Sequence, residues 1–345
     1  MLTIDGSKGE GGGQMLRTAL ALSLVTKEPV RMVNIRAGRS KPGLMRQHLT
    51  AVQAAATVSG GAVEGAAVGA SEITFRPGTT RGGDYSFSVG TAGSATLVLQ
   101  TILPALITAT EKSTLVLEGG THNPQSPPFD FLASAFLPTL RRMGPVVEAS
   151  LEKPGFYPAG GGRFRVTIEP SAKLAGFELP ERGALRSYRA RAIVASLPKS
   201  IADREIHIVG QRLNWGRRWL QSETVEKAEG PGNVVIIELE GENVTEVFTG
   251  FGERGVSAET VADGVATEAL AYLEAGVPVG THLADQLLLP LALAGGGMFR
   301  SMQPSSHAQT QAEVIRMFLG TETRMTPVSE MVWQFEVAPK IGGGA

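Results

Sequence analysis

The sequence has 345 residues with 32 Lys and Arg against 33 Asp and Glu, a net charge of −1. That balance excludes a uniformly basic nucleic-acid coat protein but leaves room for a local basic patch. There are no cysteines, which excludes disulfides, zinc knuckles, iron–sulfur clusters and thiol nucleophiles, and the 42% hydrophobic content suffices for a sizeable core.

The first residues, Met1 to Asp5, lack the basic and apolar regions of a secretory leader. The longest apolar runs, 97–109 and 287–294, fall short of the ~20 residues of a membrane span. These features predict a soluble, cytoplasmic protein with no membrane contact.

In chain order, residues 11–22 read as a glycine-led apolar helix, followed by a strand at 30–35 and Arg36-Ala37-Gly38. The same pattern returns 82 residues later: Gly93 to Pro104, a strand at 114–117, then Glu118-Gly119-Gly120. A third copy is marked by Gln286-Leu287-Leu288-Leu289-Pro290, which matches Gln100-Thr101-Ile102-Leu103-Pro104. Each copy continues into a second, amphipathic helix: 43–58 behind Pro42, 129–143 behind Pro127-Pro128, and 308–319 behind Ser306. Gly60, Gly144 and Gly320 are placed to stop them. Alternating strands follow at 73–75, 164–168 and 332–337. The unit is strand, helix, strand, helix, strands, and self-similarity on this scale governs the fold expectation.

Copies two and three lie about 100 residues further apart than copies one and two, which requires an insertion. Residues 183–275 carry their own strands (187–196, 233–240) and helices (198–214, 261–274). The expected fold class is therefore α+β, with a large domain of residues 1–182 and 276–345 and a small inserted αβ domain of 183–275.

Candidate chemistry begins with Ser306-His307. An imidazole at a helix start meets the positive end of the helix dipole, which disfavours imidazolium and attracts phosphate oxyanions. A neutral imidazole beside a triphosphate is a competent nucleophile towards phosphorus. On spacing alone, His307 is either that nucleophile or a helix-cap residue. Gly9-Glu10-Gly11-Gly12-Gly13-Gln14 lacks the Lys-Ser/Thr end of a P-loop. Its glycines suit close approach to phosphates and Glu10 suits Mg²⁺, or the segment is a plain turn. Gly160-Gly161-Gly162 reads as a turn between strands. Between Arg17 and His48 stand seven Lys and Arg against one acid, Glu28, which is either a polyanion site or a solvated face. Arg212, Trp215, Arg217, Arg218 and Trp219 form a second cluster, read as a helix burying its tryptophans rather than as a base-stacking surface. His207 reads as structural and His122 as a loop residue. No spacing suggests a zinc site.

Several motifs together resemble the RNA 3′-terminal phosphate cyclase family. They are Gly9–Gln14 with Arg17, Ile35–Arg39 with Lys41–Leu44 and Arg46–Leu49, and Gly119–Asn123 with Pro127-Pro128. Gly155-Phe156-Tyr157-Pro158-Ala159-Gly160-Gly161-Gly162, Leu283–Gln286 and Pro304–His307 complete the series. They stand in order from residue 3 to about 320.

The resemblance implies a large domain of three βαβαββ units with a small αβ insert. It also implies a ligase-class nucleotidyl-transfer enzyme of RNA processing, with ATP as co-substrate, RNA 3′-phosphate ends as partner, and Mg²⁺ or Mn²⁺. His307 would be adenylylated and its AMP passed to the RNA 3′-phosphate, giving an RNA-3′-pp-5′-A intermediate; the 2′-hydroxyl would then close a 2′,3′-cyclic phosphate. By family position, Gln100, Pro127, Thr281, His282, Leu283, Ala284, Asp285 and Gln286 would form the nucleotide pocket. Arg17, Arg36, Arg39 and Gln47 would bind the RNA phosphate and Glu10 the metal. Two departures from the family pattern are His282, where an aromatic residue covers the adenine, and Pro154, where a basic residue is frequent. The alternative is a non-catalytic, RNA-binding scaffold of ribosome-assembly type, whose members lack the histidine. Enolpyruvyl transferases, with similar repeats, need a longer chain. The resemblance assigns no oligomeric state.

Overall fold

The computed structural model describes residues 1–9 and 12–338. The first unit runs β1 (Leu2–Asp5), α1 (Gly13–Thr26), β2 (Val30–Val33), α2 (Arg46–Ser59), β3 (Ala62–Glu64) and β4 (Ile73–Arg76). The second runs β5 (Gly83–Ser88), α3 (Ala95–Leu106), β6 (Ser113–Gly119), α4 (129–141, with a π-helical turn at Leu132–Phe136), β7 (Val146–Lys153) and β8 (Gly162–Glu169). A two-residue strand β9 (Glu178–Leu179) precedes β10 (Leu185–Ala195), α5 (Lys199–Leu213), β11 (Leu220–Val225), β12 (Gly232–Gly241), β13 (Thr245–Phe251) and α6 (Ala258–Ala275). The chain ends with α7 (Thr281–Leu293), β14 (Gly297–Ser301), α8 (Ser306–Leu319), β15 (Glu322–Pro327) and β16 (Trp333–Ala338).

The fold is α+β. Three sheets have the orders β1-β2-β4-β3, β5-β6-β8-β7 and β9-β14-β16-β15, and in each the first pair is parallel while the others are antiparallel. One topology thus occurs three times, and β9 is the opening strand of the third unit. The segment 180–280 enters between that strand and its helix. Two residues are too few to show an alternating pattern, so β9 was not legible in the sequence.

Each repeated sheet turns one face inward. Along β8 buried Phe164, Val166 and Ile168 alternate with exposed Arg165, Thr167 and Glu169. Helices α1, α3 and α7 are apolar nearly all round because each is covered by its own sheet and by neighbouring helices: α1 packs on α2, α3 and α8, and α7 on α8 and α4. One continuous core joins all three units.

The fourth sheet, β11-β10-β12-β13, has β10 parallel to β11 and the rest antiparallel. Its central strands are apolar on both faces, as expected of a sheet covered twice. Val235, Ile237 and Leu239 join a separate core with residues of α5 and α6, while Val234 and Ile236 join the main core.

Expected helix limits shift in several places. The helix expected from 43 begins at Arg46, because Gly43 adopts φ +79° with Gly69 so close that a Cβ would lie 2.4 Å from its carbonyl oxygen. Ser305, not Ser306, is the N-cap of α8; its Oγ accepts the Ala308 N–H at 2.9 Å. Gly60 and Gly320 cap their helices in the left-handed conformation, whereas α4 ends at Arg141, short of Gly144. Trp215 and Trp219 are half-buried outside α5 and both rest on Tyr188, at 4.3 and 5.1 Å between ring centroids.

Candidate active site

The loops that precede the helices of different units lie against one another. Gly9 approaches α8 so closely that a Cβ there would sit 2.5 Å from Thr310 Oγ1, one turn beyond His307. At the start of α2, the Gln47 side-chain carbonyl accepts the Ser94 N–H at 2.9 Å, which ties that helix to the loop opening α3. Thr96, in the first turn of α3, donates to the Pro127 carbonyl at 2.7 Å. Gln100, one turn further, is the one residue of α3 that is not buried. None of α1, α2, α3, α7 and α8 carries an acidic residue in its own first turn, and a helix N-terminus attracts anions.

His48 organises the basic cluster. It is buried, and its Nδ1 accepts the Met45 N–H at 3.2 Å, so the ring proton of the neutral form sits on Nε2. That nitrogen faces Gly13, where a Cβ would lie 2.2 Å away and 2.8 Å from Arg17 Nη1. Burial first, then the charges of Arg17 and Arg36, hold the imidazole down to about 3. Arg36, at φ +55°, donates from Nη1 to the carbonyls of Lys41 (2.6 Å) and Gly43 (2.9 Å), shaping the loop before α2. The structure thus brings Arg17, Arg36 and Gln47 around the start of α2, with Arg39 on the exposed turn beside them.

Asp285 on α7 accepts the Ser305 hydroxyl at 2.6 Å, and Ser305 caps α8. The start of α8 is therefore locked to the second turn of α7, with His307 exposed on α8 and His282 exposed on α7. Thr281 and Gln286 are half-buried. The side chains of Leu283 and Ala284 turn into the core, so among 281–286 only the others present side-chain polar groups. Gly280, the N-cap of α7, donates its N–H at 2.5 Å to Glu246 of the inserted sheet. Burial pushes the Glu246 carboxyl up to about 8 against those backbone donors.

Sequence reasoning missed a second histidine centre. His122 is 3% exposed, with Nδ1 2.8 Å from Thr121 Oγ1 and Nε2 2.8 Å from Asp130 Oδ2; its ring stacks on Phe156. The other oxygen of Asp130 takes Arg191 from β10. Burial works to raise the Asp130 carboxyl, but His122 and Arg191 outweigh it and hold it at about 2. The Gly-rich loop 155–162 is zipped to this centre: the Gly155 carbonyl accepts from Thr121 and His122 N–H. It also meets the insert, since a Cβ at Gly161 would overlap the Glu229 carboxylate, which pairs with Lys153 at 2.8 Å.

Glu10, the expected metal ligand, lies outside the described residues. Among the described residues no group of three His, Asp or Glu could hold a metal ion. The described donors therefore do not by themselves form a metal cage. No described helix is long and apolar enough to cross a membrane.

The fold and site define a class: three like α+β units, interrupted by an insert, that gather helix N-termini, a basic cluster and two exposed helix-start histidines, His282 and His307. Comparison with known proteins agrees. A family profile described as RNA 3′-terminal phosphate cyclase matches residues 8–325, and the chain belongs to that family. A protein of that name from Koribacter versatilis is 51% identical over 319 residues, covering 92% of this chain and 90% of the relative. One from Pseudomonas fluorescens is 50% identical over 336 residues, 97% of each chain, and one from Salmonella agona is 45% identical over 343 residues, 99% of each.

Proposed function

We propose that the chain converts an RNA 3′-terminal phosphate to a 2′,3′-cyclic phosphate at the expense of ATP, with His307 as the covalent nucleophile. An imidazole nitrogen of His307 attacks the α-phosphorus of ATP, a P–N bond forms, the bond to the β-phosphate oxygen breaks, and pyrophosphate leaves. An oxygen of the RNA 3′-phosphate then attacks the same phosphorus, the P–N bond breaks, and RNA-3′-pp-5′-A forms. Finally the 2′-hydroxyl attacks the 3′-phosphorus, loses its proton, and expels AMP.

The observation that carries this reading is the Asp285–Ser305 lock, which fixes the first turn of α8 and with it His307 against the start of α7. A positive helix terminus disfavours the cationic form of an imidazole and attracts the phosphates it reacts with to the same place. Gln100, Pro127, Thr281, His282, Asp285 and Gln286 frame the ATP site, with Leu283 and Ala284 contributing backbone alone. Arg17, Arg36, Arg39 and Gln47 grip one RNA end, which accounts for local basicity in a chain of net charge −1. A divalent cation, Mg²⁺ or Mn²⁺, would screen the triphosphate charge near Glu10. We assign residues 1–182 and 276–345 to the catalytic domain and 183–275 to the inserted one.

The test is transfer of label from α-³²P-ATP to the protein, beside His307→Ala. Acid-labile, alkali-stable labelling in the unaltered chain and none in the variant supports the mechanism. An unlabelled chain with either Mg²⁺ or Mn²⁺ overturns it and leaves an RNA-binding scaffold of the same fold.

A further inference from the structure

A pocket of about 500 Å³ lies where the chain passes between the third unit and the inserted sheet. Its lining includes Glu181 and Arg182 on the way in, Gly276 and Val277 on the way back, and Arg300 and Val332 from the third unit. Arg300 lies on β14 between Phe299, in the main core, and Ser301, also buried, so its side chain leaves the opposite face of the strand. Two guanidinium groups from different parts of the chain therefore meet one cavity, whose lining includes none of the residues assigned above.

Their hydrogen bonding is incomplete. Arg182 Nε and Nη1 and Arg300 Nε are all buried without a partner. Buried donors, charged ones above all, are costly to leave without an acceptor. Arg182 has partial compensation: it stacks 5.1 Å over the Tyr272 ring and stands near Gly276, which caps the carbonyl end of α6. Among the described residues no acid pairs with Arg300 and no ring stacks on it, and the acid in the lining, Glu181, is exposed. Two cationic forks facing one space with so little counter-charge call for an anion, and a planar fork matches the paired oxygens of a phosphate.

We infer that this pocket binds a small phosphate-bearing molecule, its phosphate held between Arg182 and Arg300. The volume exceeds that of a bare ion and suits a small organic phosphate, and a position between two packed bodies is a favoured place for such sites. Inorganic phosphate and a nucleoside monophosphate share the recognised group, and the experiment separates them.

The measurement is equilibrium binding of ³²P-phosphate, with AMP as competitor, to three full-length chains: unaltered, Arg182→Gln/Arg300→Gln, and Arg17→Gln/Arg39→Gln. The expected result is a phosphate site that survives Arg17→Gln/Arg39→Gln and weakens at least tenfold in Arg182→Gln/Arg300→Gln. Displacement by AMP at that surviving site identifies an ester as ligand; failure to displace identifies inorganic phosphate. Unchanged binding in Arg182→Gln/Arg300→Gln, or no surviving site in Arg17→Gln/Arg39→Gln, overturns the inference. Should the double variant not fold, Arg300→Lys keeps the charge and removes the fork, and undiminished phosphate affinity there overturns it equally.

Discussion

His122 Nε2 lies 2.8 Å from Asp130 Oδ2, and through this contact the loop after β6 is joined to the inserted sheet. Ionised Asp130 can only accept, so His122 Nε2–H donates to it. On the other side of the ring, Nδ1 lies 2.8 Å from Thr121 Oγ1, which accepts the Gly155 N–H at 2.9 Å. Phe129 N–H bonds the Thr121 carbonyl, so the segment carrying Pro127 is closed at both ends.

Asp130→Asn leaves both Arg191 and His122 without their anion. Removing one partner of a largely buried pair costs about 3 kcal/mol, read as a loss of unfolding free energy in urea at pH 7. Because the folded carboxyl is depressed from 3.8 to about 2, its contribution is complete above pH 4 and disappears as pH falls through 2. The gap between the two proteins should therefore narrow by about 2 kcal/mol over that interval. A constant gap would show that the charge is not what holds the contact.

Ser305→Ala removes the cap of α8 together with its bond to Asp285. A lost N-cap costs about 1 kcal/mol, and the released first turn should lower the rate of label transfer to His307 at least tenfold. Asp285→Asn in a chain that keeps Ser305 still accepts its hydroxyl through the amide oxygen and should retain most of the stability. Single-turnover labelling and thermal melts of both variants check this.

The contrast between His307 and His122 shows what the sequence made legible. His307 stands behind a serine at a helix start, and the three-fold repeat is carried by contiguous glycine-led helices, so local pattern was enough to place both, though not to give His307 a role. His122 depends on Asp130, eight positions on, and on Arg191, which pairs with it only after the insert docks. No spacing rule connects them. The same holds for Glu246, which meets Gly280 across the domain junction. The serine that caps α8 was misplaced by one residue, since Ser305 and Ser306 are equivalent until the backbone chooses.

Gly13→Ala tests the basic cluster. Its Cβ would fall 2.2 Å from His48 Nε2 and 2.8 Å from Arg17 Nη1, so both must shift. RNA 3′-phosphate binding should weaken about tenfold or more while α1 itself gains slightly from alanine's helix propensity. His48, held at about 3, should show no protonation above pH 5 in an NMR titration of the unaltered chain. A histidine at this position titrating near 6.5 would mean the ring is open to solvent, contrary to its burial.

Glu246→Gln should make stability less dependent on pH. The carboxyl is fully buried and raised from 4.5 to about 8, with burial the leading cause. Between those values the folded chain keeps a proton that the unfolded chain releases, so stability falls as pH rises, by about 1.4 kcal/mol per unit. The unaltered protein should lose about 3 kcal/mol from this group between pH 4.5 and 7, a loss absent from the variant. Gln retains an oxygen for the Gly280 N–H, so the start of α7 should keep its position, and ATP-dependent labelling should persist. The discriminating measurement is the difference in unfolding free energy at pH 5 and pH 8. If that difference is the same at both, the carboxyl titrates normally and the junction beneath α7 admits water.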